Sequence, residues 1–245
     1  MTQNSHSTHN DKKTGLVLIA GAGQGLGASL MKRFSDAGYD AVGLNRSRPD
    51  NEQDAHMAHA TLQVDLTLMD ENNAAVEAAI LQYGPPKIVI HNTAHLTIKP
   101  FLDMHEGEFE LLWRNMVLSA HNLARATMIP LATHASETDH GAFIVSGATA
   151  SLRGGNKFAA FASAKFALRG LTQALAREFQ PQGVHVAHVI LDGIIDTEKS
   201  RELHSLDPTR MMKPEDIAES YFQLAHQPKS TWTHELDLRP ASEGF

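Results

Sequence analysis

The sequence predicts an α/β fold built on one open, doubly wound parallel sheet with helices on both faces. Three observations predict it. Short apolar runs alternate with helix-spaced segments along the 245-residue chain. The first, fourth and fifth of these runs are continuously apolar, as strands covered on both faces require. A glycine-rich turn, AGAGQGLG from Ala20 to Gly27, joins the first strand to the first helix.

Each element follows from its residues. Up to about Lys13 the chain is polar and has nothing to bury, so a disordered tail over 1–13 is expected. LVLIA, Leu16 to Ala20, reads as a buried strand. From Gly25 to Ala37, Leu26, Leu30 and Phe34 recur every four residues, and Gly38 stops the helix. Ala41 to Leu44 and Thr61 to Val64 read as the second and third strands. Glu71 to Gln82 forms a helix ended by Gly84-Pro85-Pro86, and Lys87 to Ile90 is the fourth strand. Phe109, Leu112, Trp113, Met116 and Ala120 lie at helical spacing and predict one long helix from about Glu106 to Leu131. Ala142 to Ser146 is the fifth strand, Lys157 to Phe179 a second long helix, and Val184 to Leu191 the sixth strand. A polar segment, Asp192 to Lys213, precedes a helix opening at Pro214, where proline suits the first turn. His234 to Leu238 is a last short strand. No shift in composition marks a boundary, so 14–245 is expected to be a single domain.

Composition excludes several functions. The chain has no cysteine, which removes a disulfide framework, a cysteine nucleophile and thiolate metal sites. Its net charge of −7 argues against nucleic acid as a partner. The aliphatic runs fall far short of the roughly 20 residues a bilayer span needs. The first ten residues lack the apolar stretch of a secretory signal. A cytoplasmic protein with no nucleic-acid or membrane partner is expected. The 15 histidines form no metal motif: His6 and His9 lie in the tail, His56 and His59 in a loop, and His185 and His188 on opposite faces of a strand.

The glycine turn has a chemical use. A pyrophosphate must reach backbone N–H groups at a helix N-terminus, and side chains there would block it. The second strand ends at Leu44-Asn45-Arg46. An acidic residue in that place would bind the adenosine ribose and repel a 2′-phosphate. Asn45 is neutral, while Arg46 and Arg48 bring positive charge that can hold a phosphate. NADP(H) is therefore the expected cofactor, ahead of NAD(H).

With these residues in place, the chain resembles the short-chain dehydrogenase/reductase family over about residues 15 to 240. Gly21, Gly25 and Gly27 match the glycines of the family's TGxxxGxG turn, with Ala20 in place of threonine. Asp65 matches its acidic residue after the third strand, Asn92 its asparagine after the fourth, and Asn115 its helix asparagine. DGIIDT keeps Gly193 and Thr197 of the PGxxxT stretch and puts Asp192 where proline stands. The resemblance implies a Rossmann-type sheet of about seven parallel strands. It implies a cofactor held by Gly21, Gln24, Gly25, Leu26, Gly27, Arg46, Asp65, Leu66, Asn92, Lys165 and Thr197. It also implies a small-molecule substrate and a homo-oligomer, tetramer or dimer, formed through the two long helices.

The family's YxxxK pair reads FASAK here. Lys165 is kept, but Phe161 stands where the tyrosine belongs and has no proton to give. The family's serine, 13 residues earlier, is Ala148. Ser146, Thr149 and Ser151 offer hydroxyls nearby, and a one-residue shift would let Thr149 take the serine's place. Ser163 falls on another helical face. Ala159 stands where a longer-spaced tyrosine would lie. Asn115 and Lys165 remain as the catalytic candidates, Lys165 on the nicotinamide ribose and Asn115 holding a water. The proton donor is left open between His95, Thr149, Lys165 and bound water. The expected function is an NADP(H)-dependent oxidoreductase that moves hydride to or from a carbonyl or alcohol, with an altered proton-donor site and Asp192 to Met212 as a lid. The alternative is a catalytically silent dinucleotide-binding protein acting as a sensor or partner subunit.

Overall fold

Every residue of Leu16–Ala20 is fully buried, and the sheet grows outward from this strand. In a computed structural model that describes residues 14–47, 60–133, 135–136 and 139–242, seven strands form one sheet. They are β1 (Leu16–Ala20), β2 (Asp40–Asn45), β3 (Ala60–Gln63), β4 (Pro86–His91), β5 (Gly141–Ser146), β6 (Val184–Leu191) and β7 (Glu235–Leu238). Their order is β3-β2-β1-β4-β5-β6-β7, and every pair is parallel. Leu18 sits opposite Val42 on one side and Val89 on the other, so the register matches apolar residues across the centre. The expected tail, Arg48, His56 and His59 lie outside the described residues.

Side chains alternate along a strand, so each strand feeds two cores. Leu16 and Leu18 enter one layer with Val89 and Phe143; Val17 and Ile19 enter the other with Ile90 and Ile144. α1 (Leu26–Asp36) closes the second layer through Leu30 and Phe34, together with the C-terminal helix Pro214–Ala225. α2 (Met69–Tyr83) closes the first layer, as do the two long helical stretches that follow.

The first long stretch differs from the single helix expected from Glu106 to Leu131. It is α3 (Glu106–Trp113), a π turn (Arg114–Leu118) and α4 (Ser119–Thr133). The Asn115 carbonyl accepts hydrogen bonds from Ser119 Oγ at 2.6 Å and Thr93 Oγ1 at 3.0 Å. Hydroxyls inserted at that carbonyl accompany the widened backbone ladder, a feature common at functional sites. The second long helix, α5 (Ala159–Phe179), buries Leu168 completely and packs Leu175 against the core. The polar segment after β6 contains a short helix, α6 (Glu198–Leu203), capped by Thr197, whose Oγ1 accepts from Ser200 N at 3.1 Å. α7 (Pro214–Ala225) then opens at its proline as expected. Among the described residues no helix is long and apolar enough to cross a membrane.

Candidate active site

In a doubly wound sheet the connections leave β1 and β4 in opposite directions, which opens a crevice at their C-terminal ends. A groove of about 1080 Å³ lies there. It runs from the glycine turn past the ends of β2, β4 and β5 to α5 and the segment after β6.

The turn is built by close approach. Gly21 has φ +78°, and a Cβ there would lie 2.7 Å from the Asn92 carbonyl oxygen. A Cβ on Gly27 would lie 2.3 Å from the Gly21 carbonyl oxygen, so the helix start is pressed onto the turn. Gly23, by contrast, faces nothing within 4 Å. Gln24 and Leu26 line the groove on either side of Gly25. A Cβ on Gly25 would meet the Thr197 methyl at 2.7 Å, so the segment ahead of α6 stands directly over the turn. Asn45 Oδ1 accepts from Ala22 N at 2.8 Å and ties the turn to the end of β2. Asn92 spans the site, donating to the Gly21 carbonyl at 3.2 Å and accepting from Ser146 Oγ at 2.8 Å.

Arg46 points into the groove and donates to Asn115 Oδ1 at 3.4 Å. Asp65 lines the same wall, and its carboxylate accepts from Thr67 N at 2.9 Å. Leu66 is a buried part of that wall and accepts from Asn122 Nδ2 at 2.9 Å through its carbonyl. A turn open over Gly23, at a helix N-terminus, with an arginine at the end of β2, fits a dinucleotide phosphate chain.

Lys165 lies at the other end of the groove. It is 2% exposed and donates to the Ser146 carbonyl at 2.8 Å, and burial lowers its pKa to about 8. The Phe161 ring lies 5.6 Å from its Nζ, and Phe161 lines the groove where a phenol would have stood. The nearby hydroxyls separate by their partners. Ser146 Oγ is held between Asn92 and Tyr221, whose OH is 2.7 Å away. Burial raises the Tyr221 phenol above its ordinary range, and this tyrosine stands outside the groove. Ser151 is fully buried against His188 Nε2 at 3.0 Å. Ser163 is exposed and turned back on the Ala159 carbonyl. Thr149 lines the groove beside Ala148 and donates to Asp192 Oδ1.

Three histidines surround this end. His91 is fully buried and bonds Ser119 and Thr93 through Nε2, and burial, then the Lys165 charge, pushes its pKa down to about 3. His188 is lowered to about 4 by the same two causes. Both are neutral near pH 7. His95 Nδ1 lies 3.0 Å from Asn115 Nδ2, outside the groove lining. Asn115 thus links Arg46 to His95, with its carbonyl taken by two hydroxyls. No group of three or more potential metal ligands occurs among the described residues.

Sequence reasoning missed how Asp192 is used. It is 6% exposed and lies 3.1 Å from Arg239 Nη2, just beyond β7. Its one visible signal was an acidic residue where the family pattern has proline. His204 and Arg153 also line the groove and carried no motif.

Comparison with known proteins gives the same class. A short chain dehydrogenase profile matches residues 15–207. An uncharacterised oxidoreductase of Schizosaccharomyces pombe is 30% identical over 233 residues, 88% of this chain and 85% of its own. A short-chain dehydrogenase structure from Rhodopseudomonas palustris is 32% identical, with a TM-score of 0.75, covering 92% of this chain and 98% of that one. A 3-ketoacyl-(acyl-carrier-protein) reductase from Brucella melitensis, solved with NADH, shares the fold at 22% identity, with a TM-score of 0.81 and coverage of 92% and 97%. The chain belongs to the short-chain dehydrogenase/reductase family.

Proposed function

We propose that this protein is an NADP(H)-dependent oxidoreductase that moves hydride to or from a carbonyl or alcohol of a small molecule, with a proton site other than tyrosine. The observation that carries the reading is one continuous groove with the open glycine turn at one end and buried Lys165 at the other. The bound dinucleotide would supply or accept the hydride at nicotinamide C4. The chain's residues would do the rest. The turn from Gly21 to Gly27 binds the phosphates, Asp65, Leu66 and Asn92 shape the middle wall, and Lys165 and Thr197 close on the nicotinamide half.

Preference for the 2′-phosphate rests on Arg46, since the neighbour solved with NADH is related by fold alone. Arg46→Ala should weaken NADPH binding by about tenfold to a hundredfold, the worth of charge-assisted bonds. NADH binding should barely change; fluorescence titration of both cofactors reads this. Steady NADPH consumption against a panel of aldehydes and ketones, and NADPH production from the matching alcohols, test the reaction in both directions. No turnover above blank with cofactor bound sinks the reading.

The proposal extends to a cytoplasmic homo-oligomer. Leu111 and Trp113 on α3 and Phe166 on α5 are exposed apolar residues on the two helices concerned. Light scattering that returned a monomer at micromolar concentration would remove the oligomer.

A further inference from the structure

Thr149 and Asp192 are 43 residues apart and meet beyond the C-terminal ends of β5 and β6. Thr149 Oγ1 donates a hydrogen bond to Asp192 Oδ1. The other carboxylate oxygen lies 3.1 Å from Arg239 Nη2, a cation shared with Asp237, which offsets part of the cost of burying the acid. Asp192 stands behind Thr149: the aspartate is 6% exposed and off the groove, the threonine on it.

A hydroxyl has one proton and two lone pairs. With its proton committed to the carboxylate, Thr149 presents only lone pairs to the groove. We propose that Thr149 binds the reacting oxygen of the substrate and that Asp192, behind it, sets Thr149 as an acceptor and takes up its proton, so the resting site selects an alcohol over the matching ketone. This rests on the oxidoreductase reading and deepens it by naming the substrate's oxidation level.

The proton path follows from the same contacts. As the alcohol is oxidised, its O–H proton passes to Thr149 Oγ1 while the Thr149 proton passes to Asp192 Oδ1. The carbon's hydrogen leaves with its bonding pair to an oxidised nicotinamide dinucleotide, and the C–O bond becomes C=O. The substrate loses two electrons, the dinucleotide gains them, and the remaining proton rests on Asp192 before reaching water. A protonated Asp192 reverses the chain, and Thr149 then donates to a carbonyl.

The polarity of Thr149 can be inverted without removing it. In Asp192→Asn, Arg239 faces the amide oxygen and leaves the amide N–H₂ towards Thr149. That N–H occupies a Thr149 lone pair and turns the threonine proton into the groove.

Calorimetry with 1-phenylethanol and acetophenone, which share one skeleton, reads the polarity without turnover. One hydrogen bond made or lost predicts an alcohol preference of about tenfold in the native protein. Thr149→Ser should keep it, Thr149→Val should abolish it, and Asp192→Asn should invert it. A merely structural Asp192 would weaken both probes alike. Equal affinity for the two probes, binding of neither, or a preference unchanged in Thr149→Val overturns the proposal. Should Asp192→Asn fail to fold, the two Thr149 variants carry the test alone. Dinucleotide titration of the same proteins keeps the two readings apart: loss of cofactor binding in the native protein defeats the oxidoreductase reading whatever the probes show.

Discussion

At the residue scale, the proposed reaction rests on Lys165 and on Phe161, which stands where the family pattern has tyrosine. Phe161→Tyr returns a general acid to the ring position beside Lys165, and a general acid is worth about 10²- to 10⁴-fold. Carbonyl reduction should rise by a factor within that range, measured as kcat/KM at pH 7; an unchanged rate would show that the pocket is arranged for another donor. Lys165 also bears on stability. Its pKa is about 8 folded against about 10.4 unfolded. The unfolded chain therefore holds that proton more tightly, and the penalty is complete below pH 8. It shrinks as pH rises from 8 to about 10.4 and vanishes above. Lys165→Met should stabilise the protein at pH 7 by on the order of 2 kcal/mol, after losing the bond to Ser146, and should bring no gain at pH 10.5. Thermal melts at the two pH values check it. Phe161, Ala148 and Lys165 were legible because a short spacing defines them. Thr149 with Asp192 was not, because nothing local in the chain states which residues two parallel strands bring together.

At the element scale, the packing of helix on turn decides whether the groove exists. Gly27→Ala would drive a methyl to 2.3 Å from the Gly21 carbonyl. Either the turn or α1 must move, so the variant should lose most dinucleotide affinity and melt lower by several degrees, read by titration and calorimetry. This glycine was legible from sequence as a family position, and the structure supplies its cause. The π turn at Asn115 was not legible. Phe109, Leu112, Trp113 and Met116 keep a helical period through it, and the hydroxyls at its carbonyl come from Thr93, on a distant loop, and Ser119, one turn on. Strand edges differed by one or two residues, as at β2, where the run Ala41 to Leu44 extends to Asp40 and Asn45. Backbone pairing continues past the last apolar side chain there.

At the scale of the whole molecule, the fold stores acid sensitivity in its histidines. His91, His185 and His188 are fully buried, and burial lowers them to about 3, 4 and 4. Above about pH 6.5 they are neutral folded and unfolded, and contribute nothing. As pH falls from 6.5 towards 4, the unfolded chain takes up protons the native state refuses. Each costs about 1.4 kcal/mol per pH unit. Glu235 acts in the same direction, because its bond to Arg169 holds it near 2 and that stability is lost as it protonates. Denaturant unfolding should show stability falling steeply below pH 6.5. In His185→Phe, whose ring can keep the stack on Trp232, the fall should be shallower by about 1.4 kcal/mol per unit. An unchanged slope would exclude His185 as a contributor. The sheet itself was the most legible feature, because buried parallel strands leave continuous apolar runs. The Thr197 methyl stands 2.7 Å from where a Cβ on Gly25 would lie, so the glycine turn and the segment ahead of α6 are closely apposed. That segment and the turn therefore share one space above the helix N-terminus. A dinucleotide seated on the turn, under the proposed function, would leave only with a shift of that segment, and its release would then set the pace of turnover.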